Sequence, residues 1–182
     1  IDHLQAQVGH VPDIVVINNA STDGTLEMLE ARGVDVITQE NVGSAGGWHR
    51  GIAAAQDGGY DAVWLMDDDG FPDAHALHAL VGALTPGVAC ASAVVVCEDD
   101  PQRFVFPFPL LDEAGLPKLF GFPRKIATMD DLAAEATSGT YPFAHFFNGA
   151  LIQLSAVQRV GNVDRDFFIF GDEVDYFFRL RE

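Results

Sequence analysis

Short apolar runs alternate with helix-like stretches along this chain. The first run, residues 14–17, is β-branched and is followed by asparagine, as expected of a buried parallel strand. Residues 34–37 and 62–66 form two further short runs, each preceded by a stretch of helical periodicity. Strands that alternate with helices predict an α/β fold, in which a mostly parallel, Rossmann-like sheet carries helices on both faces.

The pattern changes in the second half of the chain. Residues 88–96 predict a long apolar strand, whereas residues 101–123 are rich in proline and phenylalanine and lack a clear period. We predict a single catalytic domain over residues 1–182, with an irregular insertion at about residues 101–140. Because residues 1–8 resemble the tail of a helix, we expect a domain truncated at its N-terminus.

This topology predicts where a ligand binds. Parallel α/β sheets bind ligands at the carboxyl ends of their strands. The loops that follow the first three predicted strands therefore lie at one edge, and they carry residues 18–25, 41–50 and 67–70.

Three consecutive aspartates, Asp67, Asp68 and Asp69, directly follow the third predicted strand. Adjacent carboxylates repel one another, and partly buried carboxylates are costly when unpaired. A divalent cation resolves both problems, and Mg²⁺ or Mn²⁺ prefers carboxylate and phosphate oxygens. The spacing favours Asp67 and Asp69 on one side of the turn. The alternative interpretation is a solvated acidic turn.

The other two loops carry candidate ligand-binding groups. Asn18, Asn19 and Asp23 offer amide and carboxylate groups suited to a base and a ribose, although helix capping explains such residues equally well. Gly46 belongs to a glycine-rich loop that lets the backbone approach a ligand. Arg50, about one turn into the next helix, is placed to reach a phosphate or to remain a surface arginine.

A further acidic pair, Asp172 and Glu173, begins the last predicted helix. Acidic residues at a helix N-terminus are favoured by the helix dipole, so capping is one interpretation. The other is a general base that removes a proton from an attacking hydroxyl.

The charge balance limits the classes of partner. The chain has 27 acidic and 10 basic residues, a net charge of −17, so nucleic acid is not expected to bind. Its apolar runs are too short to span a bilayer, and no signal peptide is recognised. We therefore expect a cytoplasmic protein.

Taken together, the motifs resemble family two of the inverting glycosyltransferases, which have the GT-A fold. The glycine-rich loop and the acidic turn are most similar to those of bacterial galactofuranosyl- and rhamnosyl-transferases. The matching stretches occur in the family's order and are NNASTDGT (18–25), NVGSAGGWHRG (41–51), WLMDDDGFPD (64–73), NGALIQLSAV (148–157) and FGDEVDYFFR (170–179).

The resemblance implies roles for the acidic residues. Asp67 and Asp69 match the metal-binding carboxylates of the DxD motif, with Mg²⁺ or Mn²⁺ as the cofactor, and Asp68 lies near the ribose or the sugar. Asp172 matches the catalytic base, with Glu173 as the alternative.

The resemblance also implies the substrates. Asn18, Asn19 and Asp23 belong to the nucleotide loop, and Asn148 and Gly149 to the acceptor side. The donor is a UDP- or dTDP-sugar and the acceptor a glycan or lipid-linked saccharide, as in cell wall or polysaccharide biosynthesis. Such an enzyme acts at the inner face of the membrane, and any peripheral contact with the bilayer is expected from parts outside this chain.

The chain departs from the family pattern at Asn18, where aspartate is common. Two other functions remain open from the residues alone. One is a nucleotidyltransferase, which also uses strand-end aspartates and a metal. The other is a non-catalytic module that binds a glycan or a nucleotide.

Overall fold

The computed structural model describes residues 1–118, 125–136 and 139–181, and the chain forms two compact units. The larger unit comprises Ile1–Ser92 and Phe146–Glu182, and the smaller comprises Ala93–His145. Parts of the predicted insertion, residues 119–124 and 137–138, lie outside the described residues. The elements of the larger unit are, in chain order, α1 Asp2–Gln5, β1 Val15–Asn18, α2 Thr25–Ala31, β2 Asp35–Thr38, α3 Gly43–Asp57, β3 Ala62–Leu65, α4 Ala76–Ala83, β4 Cys90–Ser92, β7 Ala150–Gln153, α6 Leu154–Val160, a 3-10 helix Arg165–Phe167 and α7 Asp172–Leu180.

The first two strands form a parallel pair. β1 and β2 are in register from Val15 opposite Asp35 to Asn18 opposite Thr38, and helix α2 connects them. The carboxyl ends of both strands therefore lie at the same edge, as the sequence predicts. Helix α3 packs against β1 and against β3.

The other three strands form a sheet with β7 in the middle. β3 and β4 both pair with β7 in the antiparallel direction, so β3 and β4 run in the same direction as each other. Ala150, Leu151 and Ile152 are all buried, so side chains on both faces of β7 are covered. Leu151 packs with Leu77 and Leu80 of α4, and α6 also packs against β7.

The α/β class with covered sheets agrees with the prediction, but the strand pairing differs in detail. Instead of one continuous parallel sheet, the described residues form a parallel pair and a three-stranded sheet with an antiparallel centre. The difference arises because the chain forms the smaller unit, Ala93–His145, between β4 and β7. The connection to β7 is therefore not the right-handed helical crossover that joins parallel strands.

The smaller unit has its own core. β5 (Arg103–Pro109) and β6 (Lys125–Thr128) pair in the antiparallel direction, and α5 (Met129–Glu135) follows. Thr128 and Asp131 form a reciprocal capping box at the start of α5. The buried side chains are Phe104, Phe108 and Ile126. The stretch predicted as irregular is thus partly regular, and the assignment of all 182 residues to one domain stays a prediction.

Within the described residues, each helix is too short or too polar to cross a membrane.

Candidate functional site

Strand β3 leads directly into the acidic turn predicted from the sequence. Leu65, the last residue of β3, is buried, whereas Asp67, Asp68 and Asp69 are exposed. Carboxylate oxygens from the three side chains lie within 4.8 Å of one another. The triad therefore converges at the carboxyl end of its strand.

The electrostatics of this turn suit a divalent cation. The Asp68 N–H donates to the Asp67 carboxylate at 3.1 Å. Although Asp67 is exposed as a residue, partial burial of its carboxyl group raises its pKa, and the charges of Asp69 and Asp68 raise it further. Clustered carboxylates favour binding of a cation that neutralises them. Because all the donors are oxygens, the residues fit Mg²⁺ or Mn²⁺.

Asn148 lies against the same turn. A Cβ atom on Gly70 would be 2.5 Å from Asn148 Oδ1 and 2.9 Å from Met66 Sδ, so glycine permits this close approach. Phe147 has a φ of 75°, a left-handed conformation that is costly for a bulky residue and is frequent at functional sites. Its ring stacks on Trp48, with 4.8 Å between the centroids.

The two asparagines after β1 are engaged within the fold. Asn18 is buried, and its Oδ1 accepts a hydrogen bond from the Ser21 N–H at 2.9 Å. Asn19 donates to the Gly43 carbonyl at 3.0 Å and accepts from Gln39 Nε2 at 2.6 Å. These bonds tie the β1 loop to the end of β2 and the start of α3, which places both loops at one edge. Contact with a base or ribose stays a prediction.

Asp23 stabilises the turn before α2. Its carboxylate accepts hydrogen bonds from the Thr25 N–H at 3.2 Å and from the Thr25 hydroxyl at 2.5 Å. The hydroxyl is the main cause of the lowered pKa of Asp23. The side chain is nevertheless exposed, and both bonds use Oδ1, so a ligand can still reach Oδ2.

The phosphate candidate Arg50 lines a cavity beside α3. Gly46 is buried, with the Val42 side chain directly against it. Arg50, four residues further along α3, lines a cavity of about 600 Å³ together with Arg165 and Asn41. Asp67, Asp68 and Asp69 are not among the described residues that line this cavity. A role for Arg50 beside the metal-bound phosphate therefore stays a prediction.

Asp172 is a buried carboxylate at the first position of α7. It is 2 % exposed, and its Oδ2 has no hydrogen-bond partner among the described residues. Burial and the neighbouring Glu173 carboxyl group raise the pKa of Asp172 to about 6. Glu173 is instead engaged, because its Oε2 accepts from the Gly171 N–H at 3.1 Å. Of the two candidates, Asp172 is the one whose pKa is raised, which suits a general base.

Helix α7 is fixed by Arg179. This side chain donates to the Asp175 carboxylate at 2.8 Å and to the carbonyls of Val160 and Asn162 at 3.1 and 3.0 Å. Its guanidinium also lies 4.9 Å from the centre of the Tyr176 ring. Bonds to two elements and a ring hold α7, and with it Asp172, in one orientation.

The segment before Asp172 contacts the glycine-rich loop. The Ala45 N–H donates to the Phe168 carbonyl at 3.1 Å. Gly43 has a φ of 76°, and a side chain there would collide with the same carbonyl group. The structure thus joins the motif of residues 41–51, through main-chain atoms, to the segment that directly precedes the motif of residues 170–179.

Three residues that make such contacts were not predicted from the sequence. Trp48 and Arg179 lie within the matching stretches, whereas Gln7 lies outside them. Gln7 is 5 % exposed and bonds to residues about 70 positions away. A glutamine just beyond a short N-terminal helix gives no sequence signal of such contacts. The charge pattern of α7 offered one clue, since Arg179 follows Asp175 at the i,i+4 spacing of an ion pair.

An α/β domain with an acidic turn at a strand end and a buried carboxylate at a helix start is the arrangement of a GT-A-type domain. The sequence profile of the family described as Glycosyl transferase family 2 matches residues 1–138. The chain belongs to this family.

Its curated relatives include two galactofuranosyltransferases named GlfT1. The chain is 36% identical over 190 residues to the one from Mycobacterium tuberculosis. It is 32% identical over 186 residues to the one from Mycolicibacterium smegmatis. Each alignment covers 99% of this chain but only 58% and 59% of the respective relatives.

A solved structure supports the fold. The chain is similar to the mannosyltransferase PcManGT from Pyrobaculum calidifontis, solved in complex with GDP-Man and Mn²⁺. The TM-score is 0.58 at 19% sequence identity, over 91% of this chain and 42% of that one.

Proposed function

We propose that this chain is the donor-binding and catalytic part of an inverting, metal-dependent glycosyltransferase. Its donor is a nucleotide-diphosphate sugar, bound at the edge that carries the acidic triad. The observation that supports this most strongly is the pairing of two unlike carboxylate sites in one unit. The triad is exposed and clustered, whereas Asp172 is buried with a raised pKa.

The two sites suit the two demands of a displacement at an anomeric carbon. Asp67 and Asp69 would hold a divalent cation, which would neutralise charge on a diphosphate leaving group. Asp172 accepts the proton of an acceptor hydroxyl on its free Oδ2. The hydroxyl oxygen then bonds to the anomeric carbon from the side opposite the nucleotide. The bond to the diphosphate breaks with its electron pair, which inverts the configuration.

The names of the relatives suggest the sugar. Because the chain is 32% and 36% identical to galactofuranosyltransferases over nearly its whole length, we propose a galactofuranosyl group as the one transferred. UDP is the proposed nucleotide carrier of the sugar, and dTDP is the alternative. The acceptor is a glycan or a lipid-linked saccharide, and the reaction belongs to the cytoplasmic face of the membrane.

A thermal-shift panel tests donor binding. UDP, dTDP and GDP are each titrated with Mn²⁺, with Mg²⁺ and with EDTA. We expect UDP with Mn²⁺ to raise Tm progressively with ligand concentration, because a ligand that binds only the folded state stabilises it. EDTA should abolish the shift. Equal shifts with all three nucleotides would contradict the proposal of uracil as the donor's nucleobase. No shift with any of them would overturn the proposed function.

A transfer assay tests the chemistry. UDP-galactofuranose is supplied with a galactofuranosyl disaccharide acceptor, and the anomeric configuration of the product is read by NMR. We expect inversion of the donor configuration. Retention would contradict single displacement with Asp172 as the base. Release of pyrophosphate from UTP and a sugar phosphate would instead identify a nucleotidyltransferase.

A further inference from the structure

The N-terminal segment holds the chain that follows the acidic triad. The His3 imidazole Nδ1 lies 3.3 Å from the Pro72 carbonyl oxygen. The Val8 N–H donates to the Ala74 carbonyl at 2.7 Å. These contacts attach the first ten residues to the connection between β3 and α4.

Gln7 is the centre of this attachment. Its Nε2 donates to the Asp73 carbonyl at 2.7 Å and to the His3 carbonyl at 3.1 Å. Its Oε1 accepts from the Leu77 N–H at 2.9 Å. At 5 % exposure, both amide hydrogens and the carbonyl oxygen are used. The side chain therefore has one orientation in which its polar atoms are satisfied.

Gln7 supplies a cap that α4 lacks locally. The first N–H groups of a helix have no partner within the helix and need one from outside. His75, at the N-cap position, makes no capping bond with its side chain. Leu77 is the second helical residue, and its N–H donates to Gln7, which lies two residues beyond the end of α1. The start of α4 is thus set by a residue 70 positions earlier in the chain.

This cap fixes one end of the acidic turn. The other end is fixed by β3, where the Gly149 N–H donates to the Leu65 carbonyl at 2.8 Å. Between these two anchors lie Asp67, Asp68 and Asp69. Since the triad is exposed, few other contacts determine the directions of its carboxylates.

We propose that Gln7 is a positioning residue for the cation site formed by Asp67 and Asp69. The inference rests on the proposed function, because it assumes that the triad binds a divalent cation. Gln7 contacts no ligand of the ion. It acts through the Asp73 carbonyl and the Leu77 N–H, which set the path of the chain leaving the triad.

Gln7→Met tests this role, with Gln5→Met as the matched control. Methionine keeps the shape of the side chain and removes all three hydrogen bonds. Gln5 is exposed and lies two residues before Gln7, at the end of α1. Affinity for Mn²⁺ in the presence of UDP is measured by calorimetry on the intact protein. Loss of a side chain that orients metal ligands typically weakens binding about 10- to 100-fold, and we expect about tenfold for Gln7→Met and no change for Gln5→Met.

A second variant separates positioning from folding. Gln7→Glu keeps an acceptor for the Leu77 N–H, where a negative charge is favourable, but its second oxygen faces the carbonyls of Asp73 and His3, to which an ionised carboxylate cannot donate. We expect it to stay folded and to bind Mn²⁺ several-fold more weakly, with KM for the metal raised and kcat little changed at saturating Mn²⁺. Unchanged Mn²⁺ affinity in both variants would overturn the role of Gln7. Absence of Mn²⁺ binding by the wild type would instead overturn the proposed function.

Discussion

Two acidic sites in the larger unit show how the environment gives similar side chains different electrostatic properties. The triad Asp67, Asp68 and Asp69 is exposed, and its oxygens converge within 4.8 Å. Asp172 is buried, and its Oδ2 lacks a partner among the described residues. Charge repulsion dominates the first site and desolvation the second, so the first attracts a cation and the second attracts a proton. Groups separated in this way can serve different steps of one reaction.

The most severe test of this comparison removes the proton acceptor. Asp172→Asn keeps the shape of the side chain but cannot accept a proton. We expect kcat to fall by about 10²- to 10⁴-fold, the usual contribution of a general base, in a transfer assay with UDP-galactofuranose. Affinity for UDP and Mn²⁺ should stay unchanged by calorimetry.

Glu173→Gln is the control for that variant. Glu173 accepts from the Gly171 N–H, so its loss should affect the start of α7 more than proton transfer. We expect a smaller decrease in kcat than for Asp172→Asn. If Glu173→Gln loses transfer while Asp172→Asn retains it, the two carboxylates have the opposite roles.

The next largest effect is expected at the triad. Asp67→Asn or Asp69→Asn removes a charged ligand of the proposed metal ion. Losing a residue that only supports a metal ligand typically weakens binding about 10- to 100-fold, so Mn²⁺-dependent binding of UDP should weaken by more than about tenfold. Asp57→Asn, an exposed carboxylate at the end of α3, is the control and should leave binding unchanged. Equal affinities for all three variants, measured by calorimetry, would make the triad a solvated acidic turn.

The contrast between the two sites was only partly visible in the sequence. The triad was predictable because a local signal carries it: an apolar run, residues 62–66, ends directly in three aspartates. The start of α7 was equally clear from its acidic first turn. The burial of Asp172 was not predictable. Acidic residues at a helix N-terminus are expected both for a stabilising interaction with the helix dipole and for a general base, and the sequence does not separate the two.

Contacts between distant residues explain what the sequence did not predict. Gln7 caps α4 from 70 positions away, and Arg50 shares its cavity with Arg165, 115 positions later. β7 joins β3 and β4 only after the chain has formed a second unit. Periodicity reports which face of an element is apolar, but it does not report which distant element covers that face.

A smaller effect is expected from the glycine beside the triad. Gly70→Ala places a methyl group 2.5 Å from Asn148 Oδ1 and 2.9 Å from Met66 Sδ. Both are ends of side chains that can move, so we expect a modest loss of stability, about 1–2 kcal/mol, in thermal or urea unfolding.

Gly82→Ala is the matched control for Gly70→Ala. Gly82 lies in α4, and an added Cβ would meet no atom within 4 Å. Alanine favours a helix over glycine by up to about 1 kcal/mol, so Gly82→Ala should raise Tm. If both variants raise Tm, Asn148 does not lie against the turn as closely as the structure indicates.

The smallest expected effect, and the one that separates the two sites most directly, is the response of Asp172 to pH. Its pKa is raised to about 6, first by burial and then by Glu173, so the folded protein binds a proton there more tightly than the unfolded chain does. The stability of the fold should therefore decrease as pH rises from about 4 to about 6. Transfer should show the opposite dependence, because only the ionised carboxylate accepts a proton, and kcat/KM should fall as pH drops through about 6.

The variant Asp172→Asn makes both halves of this response testable in one pair of proteins. Asparagine carries no charge, so at pH 7 it removes the free-energy cost of burying an ionised carboxylate. At pH 4 the wild-type Asp172 is already protonated, so the substitution changes the free energy of unfolding little. We expect Asp172→Asn to exceed the wild type in stability at pH 7, by about 1 kcal/mol as is common where function opposes stability, and the difference to shrink towards pH 4. Urea unfolding at the two pH values measures it. An equal difference at both would mean that the Asp172 carboxyl group ionises as easily in the fold as in water, and the contrast between the exposed triad and the buried base would then lose its electrostatic basis.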